Sequence, residues 1–273
     1  MKRTLSRLIF IDLLFILFLS LSGVFSGLLS DLFYLIAFVL PTLVFFFLHK
    51  ETEEGPFKIS ASVTPQALNL SVLFAAPTVL VIFALSFLVS VIMGALGISP
   101  QSVAEDKNFL YAVILHAIAP AIFEEMLFRY IPISALGNKS PRLAVAYSSV
   151  LFALAHCNLF QIPYALFAGV IFAVLDVAAG SVLPSVIIHL INNVLSLIWS
   201  RGGEGDAFYI AFICVLVLAS ILSIVFIFIK RKSLKNDFLP IIEDKSKLIF
   251  TNSLGLYTIV TLFCALMALV NSF

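Results

Sequence analysis

Residues 109–131 read FLYAVILHAIAPAIFEEMLFRYI. The stretch is as long and as apolar as a helix that crosses a bilayer, which needs about 20 such residues, yet it carries Glu124, Glu125 and Arg129 toward its end. A charged side chain at the centre of a span costs about 2.5–3.5 kcal/mol on insertion scales, so each one is a candidate functional group. The surrounding 273-residue chain is 62% hydrophobic and 11% charged, with a mean hydropathy of +1.16. Soluble domains are about 45–50% apolar and about 25% charged. This chain holds more apolar surface than one core can bury, and lipid is the natural second solvent. The expected fold is an all-α, polytopic transmembrane helical bundle. Sixteen basic residues against fifteen acidic ones leave no nucleic-acid footprint. Cys157, Cys214 and Cys264 lie in or beside apolar runs and read as small buried hydrophobes, not a disulfide framework.

Nine apolar runs are candidate spans: Leu8 to Leu29, Phe33 to Leu48, Leu70 to Ile98, Phe109 to Ile131, Leu143 to Cys157, Ile162 to Ala179, Val182 to Trp199, Phe208 to Ile229 and Leu248 to Phe273. The first exceeds a signal-peptide core and lacks an A-x-A site, so it reads as a signal anchor. The second is short and carries Pro41, and the count falls to eight if it is a re-entrant hairpin. A cytoplasmic N-terminus with nine spans puts Lys2, Arg3, Arg7, Lys50, Lys58, Lys139, Arg142, Lys230, Arg231, Lys232, Lys235, Lys245 and Lys247 inside, and only Lys107 and Arg201 outside. A wrong count would scramble that pattern. The expected location is the plasma membrane. Residues 49–69 carry both charge signs and are expected to lie at the interface as an amphipathic segment. Residues 230–247 are expected to form a basic cytoplasmic loop. The chain divides into N-terminal helices over 1–108, a core over 109–200 and C-terminal helices over 201–273.

The intramembrane polar groups cluster in sequence. Glu124, Glu125 and Arg129 sit in the fourth run, His156 in the fifth, Asp176 in the sixth, and His189 with Asn192 and Asn193 in the seventh. Glu125 and Arg129 are four apart and share a helix face in the favourable acid-before-base order. Glu124 is about 100° around the helix and stays outside that pair. We therefore expect chemistry from Glu124, since a carboxylate among apolar walls is a competent general base near neutral pH, and architecture from Glu125 and Arg129. His189 and Asn193 are also four apart and aim two donors at one point, the geometry of an oxyanion hole. The same residues admit a second arrangement, in which His156 and His189 with Glu124 or Asn193 ligate a catalytic zinc that keeps a position open for water. His116, eight residues before Glu124, returns to nearly the same face. A lone intramembrane histidine or asparagine more often packs helices than catalyses, and Asp12 stands apart from the cluster. Three spans that each contribute acid, imidazole or amide are harder to assign to packing alone.

These residues form a motif series: Glu124-Glu125-Met-Leu-Phe-Arg129, then Phe152-Ala-Leu-Ala-His156, then Gly180-Ser181-Val-Leu-Pro184 leading to His189-Leu-Ile-Asn-Asn193. The series resembles the EExxxR, FxxxH and HxxxN motifs of the CPBP intramembrane proteases, which include type II CAAX prenyl endopeptidases and bacteriocin-processing and immunity relatives. The resemblance spans roughly residues 109–200. It implies a helical membrane enzyme that cleaves peptide or protein substrates in a cavity open to the cytoplasmic side or the bilayer. By position, Glu124 and His156 activate water, His189 and Asn193 stabilise the oxyanion, and Glu125 with Arg129 holds the cavity's shape. It leaves two mechanisms: one with Zn2+ held by Glu124, His156 and His189, and one metal-free and glutamate-based. Tyr130 departs from the glycine common at that position and is expected to crowd a helix junction and so alter substrate access, without removing a catalytic group. The rival readings are a proton-coupled transporter and a non-catalytic immunity or scaffold protein.

Overall fold

The computed structural model describes residues 2–48, 59–98, 108–202, 206–247 and 251–270. Among these the backbone forms nine helical runs and no strand. We number them α1 (Lys2–Val24), α2 (Leu28–Leu48), α3 (Pro65–Ala95), α4 (Phe109–Leu136), α5 (Pro141–Ala155), α6 (Ile162–Ala179), α7 (Leu183–Ser200), α8 (Asp206–Ile242) and α9 (Asn252–Val270). Seven runs, all except α5 and α9, are long and apolar enough to cross a membrane. The polytopic helical bundle expected from composition is therefore what the chain forms.

Several boundaries differ from the sequence reading, each for a local reason. The first two runs meet at Gly27, whose φ of +62° suits a residue without a Cβ. Helix α2 continues through Pro41 without turning back, so the re-entrant hairpin is not formed. The start of α3 lies at Pro65, where Thr64 accepts a hydrogen bond from the Ala67 amide and proline occupies the first turn. Of the expected interfacial segment 49–69, residues 49–58 lie outside the described residues, as do Lys50, Lys58 and Lys107 of the charge tally. Residues 59–64 are not helical. Ser60 bridges to Ser181 instead, its amide donating to the Gly180 carbonyl at 3.0 Å while its own carbonyl accepts from Val182 at 2.9 Å. The expected basic loop is mostly helix, because α8 continues through Lys230, Arg231, Lys232 and Lys235 to Ile242. Lys and Arg are good helix formers, and Pro240 falls only in the closing turn.

Helix α5 has 15 residues, a rise of about 22 Å, short of the roughly 30 Å hydrocarbon layer. Its end, and the turn that joins it to α6, therefore stop at membrane depth. Irregular backbone is tolerated there only when it is buried in protein or lines a cavity. The α5–α6 hairpin is close-packed: a Cβ on Gly169 would lie 3.1 Å from the Ser149 Cα, the small-residue contact that lets membrane helices approach. At the other end of α6, Gly180 caps the helix with φ +62°, and the buried Asp176 carboxylate accepts from the Ser185 amide at 3.0 Å, which ties down the first turn of α7. Asp176 is a positioning group for α7. Asp12 is buried on α1 and does not line the cavity that holds the other polar groups.

Hydrogen bonds sort the helix ends into two faces. Ser6 meets Ser253 at 3.0 Å, Arg142 donates its amide to Asp244 at 3.0 Å, Gln66 donates to Asp237 at 3.1 Å, and Lys230 donates to Asn69 at 3.3 Å. At the opposite face, Tyr111 donates to Asp31 at 3.0 Å and the Arg201 guanidinium lies 5.2 Å from the Phe109 ring centroid.

Two predictions follow from this packing. Gly169→Leu should cost about 1–3 kcal/mol of stability by forcing α5 and α6 apart, and an unchanged melting temperature in detergent would contradict the close approach. Asp244 lies outside the spans. Desolvation pulls its titration upward, but hydrogen bonds from Ser140, Ser246 and the Arg142 amide outweigh it and hold the carboxyl below the usual carboxylate range. Its contribution is therefore present above the ordinary aspartate value of about 3.9 and is lost as pH falls through the depressed folded value. Hydrogen exchange at residues 140–144 should accelerate in that acid range, and Asp244→Asn should bring the faster exchange to neutral pH.

Candidate active site

The polar residues of the three motifs meet in the bundle. Helix α4 is interrupted by two π-helical segments, Ile114–Ile118 and Met126–Tyr130. The second begins immediately after Glu125. Single-turn π segments often accompany functional sites, and no periodicity in the sequence announced either one. Glu125 and Arg129 are fully buried and form an ion pair, Nε to Oε2, at 3.4 Å. The other Glu125 oxygen lies 2.7 Å from His189 Nδ1. One carboxylate from α4 thus holds both an arginine one turn on and a histidine on α7.

Phe152 is the second organiser. Its carbonyl accepts from His156 Nδ1 at 2.8 Å. Its ring meets the His156 ring edge-on at 4.8 Å and the His189 ring at 6.0 Å. The Arg129 guanidinium carbon lies 4.3 Å from the same ring's centroid, a cation–π contact in a desolvated setting. The phenylalanine of FxxxH therefore touches the cationic partner and both imidazoles.

A cavity of about 760 Å³ is lined by Glu124, His156, His189 and Asn193 together with His116 and Asn192. Glu125 and Arg129 lie behind its wall. Four of the six expected site residues thus face one space, and the other two support it. His116 and Glu124 share the cavity, as their eight-residue spacing suggests. Asn192 donates to the Asn193 carbonyl oxygen at 3.3 Å, an arrangement that leaves the Asn193 amide hydrogens for the cavity. That orienting role was not read from the sequence, although the adjacent pair of amides was its signal. Tyr34 reaches the cavity from α2, far outside the motifs. Tyr130 does not line the cavity; it packs against the apolar core. Cys157 follows the helix end with φ +47°; its side chain contacts Cys264 and also stays outside the cavity.

In both histidines Nδ1 is engaged, so the imidazoles present Nε2 to the remaining space. For His156 the backbone acceptor makes Nδ1 the protonated nitrogen, and Nε2 carries a lone pair in the neutral ring. For His189 the carboxylate plays the same part, and Nε2 donates when the ring carries both protons. Nitrogens pinned in this way are also common in metal ligands. However, among the described residues no three His, Cys, Asp or Glu side chains come close enough to share a metal ion. Glu124, His156 and His189 do not by themselves form a zinc centre with three protein ligands.

The Arg129→Met variant should lose about 3–5 kcal/mol of stability, because it leaves the buried Glu125 without its guanidinium partner. Replacing both with Glu125→Gln and Arg129→Met should recover part of that loss. Thermal unfolding in detergent measures both, and a single variant as stable as the parent protein would show that the pair carries no such weight.

No curated protein and no solved structure matches the chain. A family model does: residues 106–195, about a third of the sequence, match the family described as type II CAAX prenyl endopeptidase Rce1-like. That segment supplies every residue of the three motifs, from Glu124 to Asn193, and over it the chain is similar to the type II CAAX prenyl endopeptidases, the CPBP kinship that those motifs carry.

Proposed function

We propose that the protein is an intramembrane endopeptidase that cleaves small membrane-associated peptides or proteins with a water activated by Glu124 and His156. The observation that carries this reading is the convergence of Glu124, His156, His189 and Asn193, drawn from three helices, on one cavity. A peptidase needs a base for the water and donors for the oxyanion that forms when the water adds to the scissile carbonyl. Glu124 and the free nitrogen of His156 are the basic groups facing the cavity. They accept the proton as the oxygen–carbon bond forms and return it to the leaving amine. The Asn193 amide, oriented by Asn192, and His189 Nε2, oriented by Glu125, are the donors. Glu125 and Arg129 do not meet substrate; they fix the ring that does. The family similarity over residues 106–195 supports the same kind of function. A transporter would distribute titrating groups along a path across the bilayer, whereas these gather round one space.

The test is cleavage of a peptide library by the purified protein in detergent. Glu124→Gln, His156→Ala and His189→Ala should each lower kcat/KM by about 10²–10⁴-fold, the range for a general base or an oxyanion donor. Asn193→Ala should lower kcat by about 10²–10³-fold with KM nearly unchanged. Cleavage that persists in all four variants would overturn the assignment. Stoichiometric zinc together with chelator-sensitive activity would overturn the metal-free route and leave the peptidase reading standing.

A further inference from the structure

Most of the cavity wall comes from the same half of each helix, while Glu124, Phe128, Phe172 and His189 line it from the other half, toward mid-helix. The lining residues Phe15 and Leu19 belong to the later part of α1, Tyr34 to the earlier part of α2, and Ser86 and Ser90 to the later part of α3. His116 and Pro120 come from the first half of α4, and His156 from just beyond the end of α5. Tyr164 opens α6, while Asn193, Ser196 and Trp199 belong to the later part of α7. With the helices alternating in direction, all of these half-helices point to one face of the bundle. It is the face where Arg201 meets Phe109 and Tyr111 meets Asp31.

The other face holds the basic residues. Lys2, Arg3 and Arg7 start α1, Lys139 and Arg142 flank the turn into α5, and Lys230, Arg231, Lys232 and Lys235 lie on the last turns of α8, with Lys245 and Lys247 beyond. The contacts of Ser6 with Ser253, Arg142 with Asp244, and Lys230 with Asn69 bring these segments to one end. Among the described basic residues only Arg201 lies at the cavity face, and Arg129 lies inside. Lysine and arginine accumulate on the cytoplasmic side of membrane proteins.

We infer that the cavity opens on the non-cytoplasmic side of the membrane, and that its substrate is a neutral, apolar peptide segment presented from that side or from the adjoining leaflet. The lining fits such a segment. Phe83, Phe87, Phe128, Phe172 and Trp199 supply an apolar surface, neither lysine nor arginine is among the lining residues, and Phe87 stands 71% exposed beside the exposed Ser90. Ser86 and Ser90 on α3, and Asn192 and Ser196 on α7, give two short polar rows for an extended backbone. Of the two openings that the family resemblance implies, to the cytoplasmic side or to the bilayer, this one is opposite to the first and compatible with the second. The nature of the substrate rests on the peptidase reading; the side of the opening does not.

The experiment keeps the two apart. In the full-length protein with Cys157, Cys214 and Cys264 replaced by Ala, single variants Ser90→Cys, Ser196→Cys and Lys235→Cys are treated with a membrane-impermeant maleimide, in right-side-out and in inverted membrane vesicles. Ser90→Cys and Ser196→Cys should label in right-side-out vesicles and be protected in inverted ones, with Lys235→Cys showing the reverse. Cavity cysteines that label only in inverted vesicles, or equally in both, would overturn the inference. An apolar fluorogenic peptide added to the same vesicles should then be cleaved in the right-side-out preparation and lose that cleavage in the inverted one. Cleavage confined to inverted vesicles would also overturn it. Absence of cleavage in both, with the expected labelling, would sink the peptidase reading and leave the side of the opening established.

Discussion

Glu125, Arg129 and His189 form a group with almost no exposed surface in the middle of an apolar bundle. An isolated ion in such surroundings carries a desolvation cost of several kcal/mol even after relaxation. That cost is offset only when charge and hydrogen-bonding partners come with it. The constraint reaches beyond α4. To satisfy Glu125, α7 must lie where His189 reaches it, and to shield Arg129, the rings of Phe152 on α5 and Phe172 on α6 must flank the guanidinium, at 4.3 and 5.7 Å. Four helices are thereby located relative to one another by a few polar atoms, in a setting where apolar packing alone gives little preference between partners because lipid tails are as apolar as leucine.

The consequence for chemistry is preorganisation. An imidazole whose Nδ1 is already engaged has one nitrogen left to offer and little freedom in how it offers it. His156 is held through a backbone carbonyl and His189 through a carboxylate. The two rings therefore differ in what they supply, although the sequence presents them as equivalents. Asn193 is constrained in turn by Asn192. Groups fixed before substrate arrives need not be reordered as charge develops, which is where oxyanion-type stabilisation draws its strength.

The supporting turns serve the same end. The α5–α6 turn at membrane depth places His156 inside the bundle, and the Gly169 contact with Ser149 keeps the two helices close enough for that turn to remain short. The strap from Ser60 to Ser181, together with Asp176 on the Ser185 amide, fixes the entry into α7 two turns before the Asn192–Asn193 pair. These contacts lie toward the basic face, away from the cavity. One end of the bundle is thus stapled by hydrogen bonds while the other holds the reactive space.

Local chemistry in the chain was enough to establish the membrane bundle, most of the helices, and the partnership of Glu125 with Arg129. Apolar run length, charge exclusion and four-residue spacing are properties of neighbouring residues, so they are written in the order of the chain. The likeness of three short motifs to a family named the remaining site residues without saying how they meet. What needed the folded molecule were the relations across helices: that Glu125 serves His189 as well as Arg129, that the Phe152 ring touches both histidines, that Asn192 orients Asn193, and that Tyr34 joins from α2. The two π segments and the strap at Ser60 were equally hidden, because a π turn and an isolated bridge leave no periodic signature. Charge counting assigns an expected cytoplasmic end to each helix, but only the assembled half-helices show toward which end of the bundle the cavity lies, since an opening belongs to no single segment of the chain.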